Sequence, residues 1–222
     1  MYSFGNRKDM TAIDEPFYGY YLHIHPEIDH PGRAETLATM STDYVGIVKD
    51  IIEADYPTPH VFFKNMAHHL DQGDWSFIKQ LKNLFLIRNP KQLIASFAQV
   101  IPNPTMLDIG LKLEWEILEY AQSSGSDYVV LDSNEVLKDP KTVLSKMSDQ
   151  LGIPFSEEML AWKAGPRPED GCWAKYWYAN VHKSTGWKKQ ETSSRPFPER
   201  LQPLLDEAVI YYDRLAKYAI KA

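Results

Sequence analysis

Ser96 follows Arg88 by eight positions in Leu84-Phe85-Leu86-Ile87-Arg88-Asn89-Pro90-Lys91-Gln92-Leu93-Ile94-Ala95-Ser96-Phe97. A guanidinium offers a planar fork of donors and a hydroxyl offers one more, a pair able to bracket one phosphate. An Arg paired with a carboxylate and a solvated Ser would satisfy the same spacing. Two carboxylates, Asp14 and Glu15, stand directly before Pro16, and Lys64 precedes the His68-His69 pair. Imidazoles titrate near neutrality and suit proton transfer. His23, His25, Asp29 and His30 match no common zinc spacing, so no metal is expected.

The elements that would position these groups follow from pattern. Leu84 to Ile87 are four apolar residues in a row, which predicts a strand buried on both faces. Asn89 suits a helix cap and Pro90 a first helical position, where its missing N–H costs nothing. The helix that follows would bury Leu93, Ile94, Phe97 and Ile101 and leave Ser96 off the apolar stripe. Arg88 then lies at the carboxyl end of a strand, beside a helix amino end, where anions bind in open α/β sheets.

Further strands are expected at Ala12 to Pro16, Val61 to Lys64 and Tyr128 to Leu131. One helix is expected over Met106 to Ser123, with Ile109, Leu113, Ile117 and Tyr120 on one face and Gly125 as its stop. Asp139-Pro140 opens another, burying Val143, Leu144, Met147 and Leu151 and closed by Gly152. Met1 to Phe4 read as a last helical turn capped by Gly5. Residues 29–59 read as polar and helical, Trp75 to Leu81 as a short helix, and Leu201 to Ala219 as a long amphipathic helix. Phe17, Tyr18, Tyr20 and Tyr21 line a pocket or pack, and Trp162 to Arg195 shows no period. Strands alternating with helices predict a mainly parallel sheet with helices on both faces, a three-layer α/β/α arrangement.

Composition narrows the classes. The 222 residues fit one large domain, and 44% hydrophobic residues supply a core. A net charge of −6 without a basic block excludes wrapping a nucleic-acid backbone, while a small anion needs only a few local cations. Cys172 is the only cysteine, which rules out an internal disulfide and suits a reducing cytoplasm. No run of about 18 apolar residues predicts a membrane span, and Met1 to Lys8 lacks the apolar core of a signal peptide.

Three motifs resemble the sulfotransferase family, whose members transfer a sulfuryl group from 3′-phosphoadenosine 5′-phosphosulfate. The first is Leu86 to Phe97, similar to that family's Arg…Ser clamp on the nucleotide 3′-phosphate. The second runs from Tyr128-Val129-Val130-Leu131-Asp132 through Asp139-Pro140 to Leu151-Gly152-Ile153-Pro154-Phe155. The third is Val181-His182-Lys183-Ser184-Thr185-Gly186-Trp187, placed where relatives carry a basic, glycine-containing nucleotide loop. Tyr2-Ser3-Phe4 with Asp14-Glu15-Pro16 resembles the start of the bacterial and plant branch.

The resemblance implies a nucleoside-kinase-like P-loop fold. None of the eleven glycines opens a Gly-x-x-x-x-Gly-Lys-[Ser/Thr] phosphate loop, so a single domain lacking its first strand and 5′-phosphosulfate loop is expected over residues 1–222. It further implies Arg88 and Ser96 as 3′-phosphate ligands, with Lys183, Ser184, Thr185 and Gly186 closing over the same phosphate and Trp173 or Trp187 stacking on adenine. Glu15 or His68 would be the base that accepts the acceptor's proton, and Lys64 the cation at the departing phosphate. The expected acceptor is a small molecule with a hydroxyl or amine. The expected alternative is a catalytically incompetent nucleotide-binding or scaffold module. Asp132 and Glu135 read as structural acids in a turn.

Overall fold

Asp14 and Lys64 face each other across a parallel strand pair in the computed structural model, which describes residues 1–188 and 197–222. In chain order the elements begin with α1 (Tyr2–Gly5), β1 (Met10–Asp14), α2 (Tyr18–Ile24), α3 (Arg33–Thr39), α4 (Tyr44–Glu53) and β2 (His60–Lys64). They continue with β3 (Asn83–Ile87), α5 (Pro90–Phe97), α6 (Met106–Ile109), α7 (Leu111–Ser123), β4 (Tyr128–Asp132), α8 (Ser133–Lys138) and α9 (Pro140–Leu151). Then come α10 (Ala174–Trp177), α11 (Gln202–Ala216) and β5 (Ala219–Ile220). Short 3-10 turns at Ala67–Leu70 and Trp75–Gln80 lie between β2 and β3.

The chain divides into two compact units, the first made of Met1–Asp74 and Ser156–Trp187, the second of Trp75–Phe155 and Lys188–Ala222. In the first, β1 and β2 pair in parallel from Met10↔His60 to Asp14↔Lys64. Met10, Ala12 and Asp14 are buried at alternate positions, the period of a strand. Phe17, Tyr18, Tyr21 and Leu22 are buried core, so this aromatic stretch packs. In the second unit, β3, β4 and β5 form a parallel sheet in that order, with Ile87 opposite Asp132 and Leu131 opposite Ile220. Both sheets are parallel and interleaved with helices in sequence, the α/β class the pattern implies.

Caps behave as their residue types require. Asn89 Oδ1 accepts from the Gln92 N–H at 3.3 Å, with Pro90 opening α5. Asp139 accepts from the Thr142 N–H at 3.0 Å above Pro140, and Gly152 closes α9.

Several expectations need correction. Leu84–Ile87 is not buried on both faces: β3 ends its sheet, and Leu86 is 54% exposed while Phe85 and Ile87 are buried. The helix expected over Met106 to Ser123 is two helices, because Gly110 adopts φ +71 and ends α6, a conformation other residues enter only under strain. Thr105 and Asp108 form a capping box ahead of that short helix. Gly5 is the last residue of α1 rather than its cap; Asn6 takes that place in ordinary right-handed conformation. Ala219 does not continue the closing helix but starts β5. The region 29–59 holds two helices, α3 and α4. Part of the aperiodic Trp162 to Arg195 stretch, 189–195, lies outside the described residues.

Candidate functional site

In the first unit, the carboxyl ends of β1 and β2 bring a cation and two carboxylates together. Register sets Asp14 opposite Lys64, and the Glu15 N–H donates to the Lys64 carbonyl at 2.7 Å, extending the ladder by one bond. The chain then turns: Glu15 has φ +47, one of two non-glycine residues with positive φ among those described. Holding such a conformation costs about 1–3 kcal/mol and is a feature of sites whose surroundings over-determine them.

The Lys64 ammonium donates to Glu15 Oε1 and, at 3.0 Å, to the Tyr178 hydroxyl oxygen. The Tyr178 hydroxyl donates to Asp14, with the two carboxylate oxygens at 2.8 and 2.9 Å. Asp14 also accepts the Gly171 N–H at 3.2 Å, and its Oδ1 stands 3.7 Å from Lys64 Nζ. Asp14 and Glu15 are both buried. Burial lowers the Lys64 ammonium to about 8, opposed by the Asp14 charge. Burial raises the Tyr178 phenol, helped by Asp14, so it stays a donor. The arrangement is a carboxylate, Glu15, next to an ammonium that gives up its proton within reach of neutral pH.

His68 is close enough for the Lys64 charge to act on it, yet it is 3% exposed and its Nδ1 has no hydrogen-bond partner. Burial first, then the His30, Lys64 and His25 charges, lowers it to about 3. A ring so reluctant to take a proton is a weak base at neutral pH. His68 and His69 pack edge to face at 4.6 Å, and His69 stacks on Tyr18 at 4.6 Å. His25 lies between Glu27 at 3.0 Å and Asp71 at 2.9 Å. Among the described residues no group of three or more His, Cys, Asp or Glu is arranged to hold a metal ion.

The Lys183–Gly186 loop belongs to the same unit. Lys183 and Thr185 are exposed. The Ser184 hydroxyl donates to the Val181 carbonyl at 2.6 Å and accepts from Trp162 Nε1 at 2.9 Å. Gly186 bridges to Ala161, and a Cβ there would sit 2.9 Å from the Leu160 carbonyl oxygen, so the loop's close approach needs glycine. Trp173 is buried with its ring edge-on to Tyr18, and Trp187 Nε1 donates to the Met159 carbonyl at 2.9 Å.

In the second unit, Arg88 follows the last residue of β3 and precedes the capped start of α5. Its side chain is half-buried and makes no hydrogen bond or ion pair with the described residues, and burial lowers its pKa. Ser96 is exposed on α5, its hydroxyl without a partner among the described residues. Asp132 caps α8, accepting from the Asn134 N–H at 2.7 Å and the Tyr212 hydroxyl at 2.5 Å; Glu135 pairs with Lys138 at 2.6 Å. Both are structural acids.

Two members of the first cluster, Asp14 and Tyr178, were given no role from sequence. Asp14 had a signal: it continues the inward period of Met10 and Ala12, and a carboxylate at an inward position needs a partner. Tyr178 had none, because it lies in an aperiodic stretch 164 positions from Asp14.

No helix among the described residues is long and apolar enough to cross a membrane. The chain matches solved sulfotransferase domains from the curacin biosynthetic pathway (15% identity, TM-score 0.37, 86% of this chain and 77% of that one) and from the Synechococcus PCC 7002 olefin synthase (14%, 0.43, 90% and 93%). Two Arabidopsis thaliana relatives, branched-chain-amino-acid aminotransferase-like proteins 1 and 2, are 36% and 34% identical over 219 and 216 residues. Those alignments cover 98% and 97% of this chain but only 39% and 38% of the relatives, so the chain spans about two-fifths of their length. The family model described as the sulfotransferase domain matches residues 1–219, and the chain belongs to the sulfotransferase-domain family.

Proposed function

We propose that the chain transfers a sulfuryl group from 3′-phosphoadenosine 5′-phosphosulfate to a hydroxyl or amine of a small-molecule acceptor, in the cytoplasm and without a metal. The observation that carries this is Arg88: a half-buried guanidinium with no partner among the described residues, at the end of β3 beside a capped helix. Burying a cation without a counter-charge is unfavourable, and an anionic ligand repays it with a bidentate pair. The nucleotide 3′-phosphate supplies that anion, with the Ser96 hydroxyl as a further donor. Lys183, Thr185 and the Gly186 backbone are nucleotide ligands of the first unit in this reading, and Ser184 braces their loop.

Sulfuryl transfer needs a base for the acceptor's proton and positive charge at the departing phosphate. Glu15 is the base and Lys64 the cation. His68, held neutral and enclosed, is a structural neighbour of that pair.

Calorimetric titration with 3′-phosphoadenosine 5′-phosphate tests the reading, with Arg88→Ala beside the parent chain. Binding by the parent and loss of at least tenfold in affinity in the variant supports the clamp. A folded parent that does not bind overturns it. Binding without any conversion of 3′-phosphoadenosine 5′-phosphosulfate across phenol, sugar and amine acceptors favours a nucleotide-binding module over an enzyme.

A further inference from the structure

Two carboxylates pair with one ammonium in the first unit, and Lys64 holds them unequally. It donates to Glu15, while Asp14 is kept as a longer ion pair at 3.7 Å. The intervening group is the Tyr178 hydroxyl. It accepts from Lys64 at 3.0 Å, which turns its own single proton away, towards Asp14 at 2.8 Å. The alternative acceptor, Glu15 Oε1, is farther at 3.4 Å. The phenol and the Gly171 N–H both donate to Asp14, so its hydrogen bonds come from them and Lys64 reaches it only as the longer ion pair.

We infer that Tyr178 is a positioning residue that partitions the two carboxylates, occupying Asp14 so that Lys64 is left to Glu15. The inference rests on reading Glu15 and Lys64 as the reacting pair. Among the described residues six groups face Lys64: Asp14 at the end of β1 and Glu15 just after it, Tyr178 after α10, the Met1 amino group, and His68 and His69 from the turn after β2. Of these, Tyr178 alone bonds to Lys64 and both carboxylates. Without the phenol oxygen, Asp14 keeps one backbone donor, and the nearest replacement is the ammonium 3.7 Å away. Lys64 would then hydrogen-bond to both carboxylates and hold its proton more tightly.

Trace acetylation with acetic anhydride reads this directly, since only the neutral amine reacts and mass spectrometry reports each lysine separately. The Lys64 side chain is 22% exposed, so the reagent reaches it. In Tyr178→Phe, which keeps the ring and its packing, the midpoint of Lys64 labelling rises by about one pH unit or more. Asp14→Asn removes the competing carboxylate, so the midpoint falls, and Tyr178→Phe on that background produces no rise. A Tyr178→Phe midpoint equal to the parent's overturns the proposal, because a space-filling role predicts that result. An equal rise with Asn at position 14 overturns it as well. Should Tyr178→Phe fail to fold, Asp14→Asn alone decides, and an unchanged or raised midpoint counts against the proposal. None of these readings uses nucleotide, so they stand or fall apart from the titration on Arg88.

Discussion

The carboxylate–ammonium cluster of the first unit and the guanidinium of the second show opposite treatments of a charge withdrawn from water. In the first, Asp14, Glu15, Lys64 and Tyr178 satisfy one another, and the cluster is closed. In the second, Arg88 has no partner among the described residues. Neither does Glu114, half-buried on α7 on the side of Leu111 and Leu118. Burial pushes the Glu114 carboxyl up to about 8. Closed clusters fix geometry and fail badly when one member is lost, whereas an unpartnered buried charge is a standing cost that a ligand or a proton relieves. The same physical quantity, desolvation, therefore builds a rigid site in one unit and a receptive one in the other.

Removing one partner from each unit is the sharpest way to break that contrast. Lys64→Met strands the buried Glu15 carboxylate and takes a counter-charge from Asp14, and is expected to cost about 3–5 kcal/mol in urea unfolding. Arg88→Leu strands nothing and stays within about 1 kcal/mol of the parent while losing nucleotide binding. Equal losses would refute the contrast.

Acid comes next. Unfolded histidine takes a proton near 6.5, but His68 in the fold resists until about 3, so between those values the unfolded chain binds more protons. Stability is expected to fall as pH drops through that window, by roughly 1.4 kcal/mol per pH unit for this ring. Urea midpoints of the parent and of His68→Gln, compared at several pH values, check it. The parent should show the steeper fall.

Glu114 has the reverse sign. Its folded pKa lies above the unfolded value of 4.5, so its contribution is fully present below 4.5 and is lost as pH rises through 8. Glu114→Gln should gain about 1–2 kcal/mol at pH 7 and nothing at pH 4. The smallest effect belongs to the exposed edge of β3. Leu86→Thr should change stability by less than about 0.5 kcal/mol, against about 2–5 kcal/mol for Leu144→Ala in the buried stripe of α9.

Much of the second unit was legible because its signals are local. Asn89-Pro90 and Asp139-Pro140 mark helix starts through their own side chains, and Gly152 marks a stop. Gly110 was read through, since an apolar period running across it hides the break. The exposure of Leu86 was not legible either: four apolar letters do not tell whether a strand lies inside a sheet or at its end. In the first unit, the places of Glu15 and Lys64 beside strand ends were legible from pattern, while the roles proposed for them came from the resemblance alone. The joining of the two through Tyr178 was not legible, because partners far apart in sequence leave no periodic trace. The resemblance implied Ser184 as a ligand, whereas its hydroxyl donates to the Val181 carbonyl and accepts from Trp162.

The separation of Asp14 and Tyr178 by 164 positions also has a consequence during synthesis. At about 5–20 residues per second, the two carboxylates leave the ribosome some 8–30 s before the phenol that binds one of them. Over that interval Asp14 lacks its phenol donor, and the first unit waits for a segment made after most of the second. A nascent chain stalled short of Tyr178 should therefore remain a client for chaperones and proteases, even where the strands of the second unit have already emerged.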